Sequence, residues 1–204
     1  MGNSRCKCCN FTVGLVIAAL FMWQRFTTAK PKCFLQEIYV PALNQSSNSP
    51  SNTTLFFQLK LENTNIVKGV YYDPVNVTFF DSPNRTHSIG NFTIPKFYQG
   101  RNKKAIKSGE INDTGLDIEA VLRAVSNGSV VFRVDMATSV RNKFVVFKTK
   151  RRRINVGAYV NVSNQGTQVN PRKGVRLSSS VGKIGSSSYE KIGILLIKFF
   201  IFGF

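Results

Sequence analysis

Nine asparagines of this 204-residue chain stand in Asn-x-Ser/Thr triplets: Asn10, then Asn44, Asn52, Asn76, Asn84, Asn91, Asn112, Asn127 and Asn161. Chance placement of 18 Asn among 31 Ser and Thr gives about three, so the excess marks acceptors for N-linked oligosaccharide on a chain that enters the secretory pathway. Catalytic residue types are scarce by contrast. His87 is the lone histidine and sits in the polar stretch Arg85-Thr86-His87-Ser88, which reads as a solvated turn rather than a general base. The ten carboxylates have no His or Cys companion at metal-ligand spacing. The densest acidic group, Glu110, Asp113, Asp117 and Glu119, lacks the regular spacing of a calcium loop and reads as a loop and a helix start. Val181-Gly182-Lys183-Ile184 lacks the Gly spacing and the Ser/Thr of a phosphate-binding loop. The expectation is a protein with no enzymatic activity, no cofactor and no metal.

Cysteine and charge carry the remaining chemistry. Cys6, Cys8 and Cys9 precede an apolar run, where S-palmitoylation is expected if that head stays cytosolic. Cys33 stands alone after the run, either a buried thiol or the donor of an intermolecular disulfide that would join two copies of the chain. The net charge is +18, concentrated in Arg101 to Lys107, Lys148 to Arg153 and Arg172 to Arg176. Such clusters attract polyanions. An extracellular address argues against nucleic acid and leaves anionic cell-wall polysaccharide, anionic lipid headgroups, or a solvated surface that confers solubility. Lys148, Lys150, Arg151, Arg152 and Arg153 are the favoured patch, because they end one strand and begin the next and so are expected at a sandwich tip.

The elements that position these residues begin with two apolar ends. Residues 1–10 form a basic, Cys-rich head, and 11–29 a signal peptide or signal anchor. The apolar run Phe11 to Trp23 is 13 residues long, short for a span of roughly 20 residues, although Arg25 could snorkel if the segment extends to Phe26. Residues 171–191 form a polar spacer and 192–204 an apolar tail. Small residues, spacer and tail match the layout of a glycosylphosphatidylinositol signal with attachment at Ser178, Ser179 or Ser180. Lys198 makes the tail a poor permanent span.

Residues 30–170 are long enough for one domain with its own core. Period two dominates: Leu55, Phe57, Leu59 and Leu61; Val75, Val77 and Phe79; Val130, Phe132, Val134 and Met136; Val156, Ala158, Val160 and Val162, each set alternating with polar residues that include Arg133, Asp135 and Tyr159. Turn clusters at Asp81 to Asn84 and Ser126 to Gly128 separate the strands. The pattern predicts an all-β, antiparallel immunoglobulin/fibronectin-III-like sandwich with at most one short helix, at Leu116 to Val125. Asn76, Asn91 and Asn161 fall on the polar phase of their strands, as a glycan requires.

Several strings, in order along nearly the whole chain, resemble the plant non-race-specific disease resistance and hairpin-induced-like proteins, whose ectodomain is a late-embryogenesis-abundant group 2 sandwich. They include Lys30-Pro31-Lys32-Cys33, Val40-Pro41-Ala42-Leu43, Lys68-Gly69-Val70-Tyr71-Tyr72-Asp73, Pro95-Lys96-Phe97-Tyr98-Gln99-Gly100, Val121 to Val125, Asn127-Gly128-Ser129, Lys148 to Arg151 and Val156-Gly157-Ala158. The family's Asn-Pro-Asn element appears as Asn63-Thr64-Asn65. The resemblance implies a non-enzymatic glycoprotein at the plasma membrane, its ectodomain extracellular, that acts in defence and the hypersensitive response through defence-signalling proteins. The alternative is a structural or stress-protective module in adhesion of plasma membrane to cell wall or in dehydration tolerance.

Overall fold

Leucine and phenylalanine at every second position give strand β2 (Leu55–Glu62) one buried and one wetter face, and the same alternation builds β4 (Val75–Phe80). The protein, seen in a computed structural model, is described over residues 11–20, 22, 29–44, 53–82, 84–112, 114–126, 129–144, 147–170 and 174–179. The remaining strands are β1 (Lys32–Tyr39), β3 (Gly69–Tyr72), β5 (Ser88–Ile94), β6 (Phe97–Gln99), β7 (Lys104–Ile111), β8 (Ser129–Phe144), β9 (Phe147–Lys148), β10 (Arg152–Ser163) and β11 (Val175–Leu177). The last of these carries the fold into the stretch 171–191.

All pairing is antiparallel, in two sheets. One has the order β11-β1-β2-β7. The other is organised by the 16-residue β8, which pairs β4 and then β3 along one edge and β10 and then β9 along the other; β5 extends from β4 and β6 from β3. The sheets share one core: Phe57 of the first meets Phe79 of the second with ring centroids 5.0 Å apart. Buried aromatic and aliphatic side chains of this kind contribute about 1.5–3 kcal/mol each. Polar bonds also cross. Tyr72 donates its hydroxyl to Gln99 Oε1 at 2.9 Å, and Gln99 Nε2 donates to the carbonyls of Leu61 and Lys103, both at 2.8 Å.

The expected helix forms at Ile118–Val125. Asp117 caps it, its Oδ1 accepting from the Ala120 N–H at 3.0 Å, and Val121 and Val125 turn inward. A single 3-10 turn covers Pro41–Leu43. Residues 11–20 are helical and exposed. Among the described residues no helix is long and apolar enough to cross a membrane.

Within β8 the alternation fails at Arg133. It stands on the outward phase of β8 yet is buried, its guanidinium over the Tyr159 ring at 4.9 Å and its Nε donating to Asp135 Oδ1 at 3.0 Å. Arg85, held at φ 59°, closes the cluster with a 2.6 Å ion pair to the other oxygen of Asp135. Burial of an arginine is tolerable here because its charge is paired and its plane stacked.

Candidate functional site

Antiparallel partners share a face, so register alone assembles a surface on the outer side of the larger sheet. Tyr71 lies between Arg141 of β8 and Tyr98 of β6, and in the next row Gly69 and Lys148 flank Lys143. The two tyrosine rings pack with centroids 4.6 Å apart. Lys148 Nζ stands 4.9 Å over the Tyr71 ring and Lys143 Nζ 6.0 Å over Tyr98. Cations over aromatic faces are attracted by the ring quadrupole, so the lysines are held against the platform with their ammonium groups in reach of solvent. Gly69 makes room, since a Cβ there would overlap the end of the Tyr98 ring. Asp73 at the margin takes Arg141 on one oxygen and Arg151 on the other, each at 3.3 Å. It is outnumbered: Arg153, opposite the Ser139 to which Asp73 is bonded, is exposed, as are Lys150 and Arg152 of the same run. A surface of two aromatic faces and excess positive charge suits an acidic ligand that also has apolar faces.

This places the favoured basic patch. Lys148 lies on the β8–β9 hairpin at the end of β8, and Lys150, Arg151, Arg152 and Arg153 lead from it into β10. They run along an edge of β8, with the Thr149 N–H donating to the Asn142 carbonyl at 2.9 Å and Arg152 opposite Val140, because β9 and β10 both pair with that strand. Tyr71, Tyr98, Arg141 and Lys143 were not anticipated. The signal available was the spacing of Gly69, Tyr71 and Asp73, which in a strand puts all three on one face.

A second feature is an open cavity of about 310 Å³ between β10 and β11, lined by Arg133, Tyr159, Arg176 and Ser178 among others. Gly157 also lines it and exchanges two backbone hydrogen bonds with Ser178, 2.9 and 3.0 Å. Asp135 already pairs Arg133, and Arg176 is exposed.

The described acceptor asparagines divide by exposure. Asn76, Asn84, Asn91, Asn112 and Asn161 are exposed and Asn44 half-buried. Asn76 and Asn91 belong to adjacent strands in which Asn76 pairs with Thr93 and Thr78 with Asn91, so each acceptor faces the hydroxyl residue of the other triplet. Asn52, Asn127, Asp113, Ser180, residues 1–10 with Cys6, Cys8, Cys9 and Asn10, and residues 181–204 lie outside the described residues. Ser178 and Ser179 are exposed.

Other titratable groups are structural. Cys33 is a buried free thiol, and burial pushes its pKa up to about 12, so it is neither ionised nor presented at the surface; a disulfide between copies would require the β1–β11 edge to open. Burial likewise raises the Tyr72 hydroxyl and lowers the Lys68 ammonium. A hydrogen bond from Lys60 holds the Glu62 carboxyl below its usual range. His87 is exposed and paired through Nδ1 with Asp81 at 2.7 Å. Asp117 is the helix cap and Glu119 pairs with Arg123 at 3.5 Å. Among the described residues no three His, Cys, Asp or Glu converge on a metal-sized site.

Protein NDR1 of Arabidopsis thaliana is 41% identical to this chain over 205 residues, which span 96% of this chain and 91% of the relative. The chain belongs to the NDR1/HIN1-like family. NDR1/HIN1-like protein 1 of the same plant is 31% identical over 166 residues, 76% of this chain and 78% of its own. Both agree with the family read from the strings above. No family model matches the chain. Among solved structures, a protein from Archaeoglobus fulgidus overlays at a TM-score of 0.31 with 6% identity, covering 67% of this chain and 98% of that one, too distant a likeness to carry an argument.

Proposed function

We propose that this member of the family is a membrane-tethered glycoprotein of plant disease resistance that works by contact rather than catalysis. In this reading an immunoglobulin-like sandwich stands outside the plasma membrane and presents the Tyr71–Tyr98 platform to an acidic ligand, for which anionic cell-wall polysaccharide has the right chemistry. Uronate carboxylates would meet Lys143, Lys148 and Arg151, and the C–H faces of the sugar rings would rest on the tyrosines. The observation that carries the reading is the paired rings with a lysine ammonium 4.9 Å over one of them, on an open sheet face. Family membership supports the defence role, and the exposed triplets support the glycoprotein.

Binding of de-esterified polygalacturonate to the full chain tests the ligand class. Wild type is expected to bind, and Lys143→Glu with Lys148→Glu to lose at least tenfold in affinity; a wild type that does not bind overturns the polysaccharide reading. Treating intact plant cells that carry a tag in the loop 45–53 with a phosphatidylinositol-specific phospholipase tests the tether. Release identifies a lipid anchor at the Ser178 to Ser180 region, and surface-accessible retention identifies the Phe11 to Trp23 segment as the anchor. A tagged protein absent from the membrane fraction overturns the tether itself.

A further inference from the structure

The chain enters the domain at the extremity of the strands that carries its two most exposed apolar side chains, Ile66 and Phe147. Asn65 donates Nδ2 to the Ala29 carbonyl and accepts from the Ala29 N–H with Oδ1, both at 3.0 Å, so the chain enters beside the β2–β3 turn. β11 runs back along the start of β1, with Leu177 opposite Cys33, and Ser178 then pairs with Gly157 in the row of Asp135. The β6–β7 turn is fastened to the β2–β3 turn, because Asn63 donates to the Gly100 carbonyl at 2.8 Å and the Asn102 N–H to the Asn65 carbonyl at 3.0 Å. Gly69 lies opposite Lys143 and Phe144 opposite Phe147, which brings the end of the β8–β9 hairpin to this corner. Ile66 is 79% exposed here, Phe147 63% and Val67 40%. Exposed cations surround them, with Lys30 at the entry, Arg101 and Lys103 on the adjoining turn, and Lys148 on the hairpin.

The described acceptor asparagines avoid this corner. Asn44 follows the 3-10 turn beyond the opposite end of β1, and Asn112 follows Ile111, which pairs with the first residue of β2. Asn84 is in the β4–β5 turn, where Phe80 pairs with Arg133, and Asn161 pairs with Val131, both toward the start of β8. Asn76 and Asn91 lie nearer the middle, in the rows of Ala137 and Asp135.

We infer that this extremity is a membrane-docking face, with Ile66, Val67 and Phe147 entering the headgroup region of an anionic bilayer while Lys30, Arg101 and Lys103 meet lipid phosphate. The inference rests on the tethered reading above and adds the orientation that the tether imposes. An anchor in the Phe11 to Trp23 segment draws this corner to the lipid, because the chain enters the domain here at Ala29. From Trp23 to Ala29 the chain spans at most about 20 Å, and exposed apolar side chains beside exposed cations are the composition that binds such an interface. The platform of Tyr71 and Tyr98 adjoins this extremity along the sheet face and shares Lys148 with it.

The test uses the full chain with Cys6→Ser, Cys8→Ser and Cys9→Ser, reconstituted into phosphatidylcholine vesicles with and without phosphatidylserine. A polarity-sensitive fluorophore is placed through Ile66→Cys, or through Gln165→Cys at the far end, and quenched by a lipid carrying a nitroxide near its headgroup. Label at residue 66 is expected to shift to the blue and to be quenched several-fold more than label at residue 165, in phosphatidylserine vesicles only. Arg101→Glu with Lys103→Glu is expected to abolish that difference while the protein still pellets with the vesicles. Equal quenching at both positions in pelleted protein overturns docking and leaves the tether standing. Quenching that ignores phosphatidylserine or survives charge reversal overturns recognition of the anionic headgroup. Failure to pellet overturns the tether and this inference together.

Discussion

The Tyr98 ring lies across Gly69, filling the space a Cβ at residue 69 would need. The overlap involves the hydroxyl end of a half-exposed side chain, which can swing outward without disturbing the core. Gly69→Ala should therefore cost less than about 1 kcal/mol in urea denaturation. It should also separate Tyr98 from Tyr71 and reduce polygalacturonate affinity about tenfold, as Tyr98→Ala does, because tenfold corresponds to about 1.4 kcal/mol of lost contact. Unchanged affinity in both variants would remove the platform from the account.

Asn63 answers every polar atom of its amide. Nδ2 donates to the carbonyls of Lys68 and Gly100 at 2.8 Å, and Oδ1 accepts from the Asn65 N–H at 3.1 Å and the Asn65 Nδ2 at 2.9 Å. Asn63→Ala orphans these buried groups and should destabilise by about 3 kcal/mol, read as a lower urea midpoint with an unchanged slope.

Cys33 gives a signed pH dependence. Its thiol titrates at about 12 in the folded chain against 9.0 ordinarily, so stability is full below pH 9 and is lost as the unfolded thiol ionises up to about pH 12. The stability difference between wild type and Cys33→Ala isolates this group from Tyr72 and Lys68. It should shift against wild type by up to about 1.4 kcal/mol per pH unit between pH 9 and 11. In folded protein at pH 8 a thiol reagent should leave Cys33 unmodified, and rapid labelling would place it at the surface.

Gly157 faces the Asp135 carboxylate so closely that a methyl group would displace it, and it would stand 3.1 Å from the Val134 carbonyl oxygen. Gly157→Ala should cost about 2 kcal/mol, because Arg133 is then buried beside a displaced partner. Thermal unfolding of Gly157→Ala beside Asp135→Asn checks this, with both expected to melt below wild type.

Alternation made β2, β4, β8 and β10 legible, since a half-buried strand needs only local periodicity, and the segment Leu116 to Val125 was legible as a helix, although its start at Ile118 behind the Asp117 cap was not. Arg133 was not legible. Its burial depends on Tyr159, Asp135 and Arg85, which meet only after β10 and the β4–β5 turn have been laid against β8. The platform was hidden for the same reason, as Tyr71, Tyr98 and Lys148 come from three strands whose adjacency is a property of register. The basic run was visible as composition, but its edge position follows from β9 and β10 sharing one partner strand, which charge spacing does not encode. The Asn63-Thr64-Asn65 element shows the converse. Its two asparagines carry the turn through their side chains, so the motif keeps its bonding without the proline.

The most direct measurement is resistance to infection in plants that lack this protein and receive either wild type or the Lys143→Glu, Lys148→Glu variant, matched for amount at the cell surface. The account predicts that wild type restores resistance and the charge-reversed platform does not. Full restoration by the variant would contradict it, because the protein would then act in defence without the surface assigned to its partner.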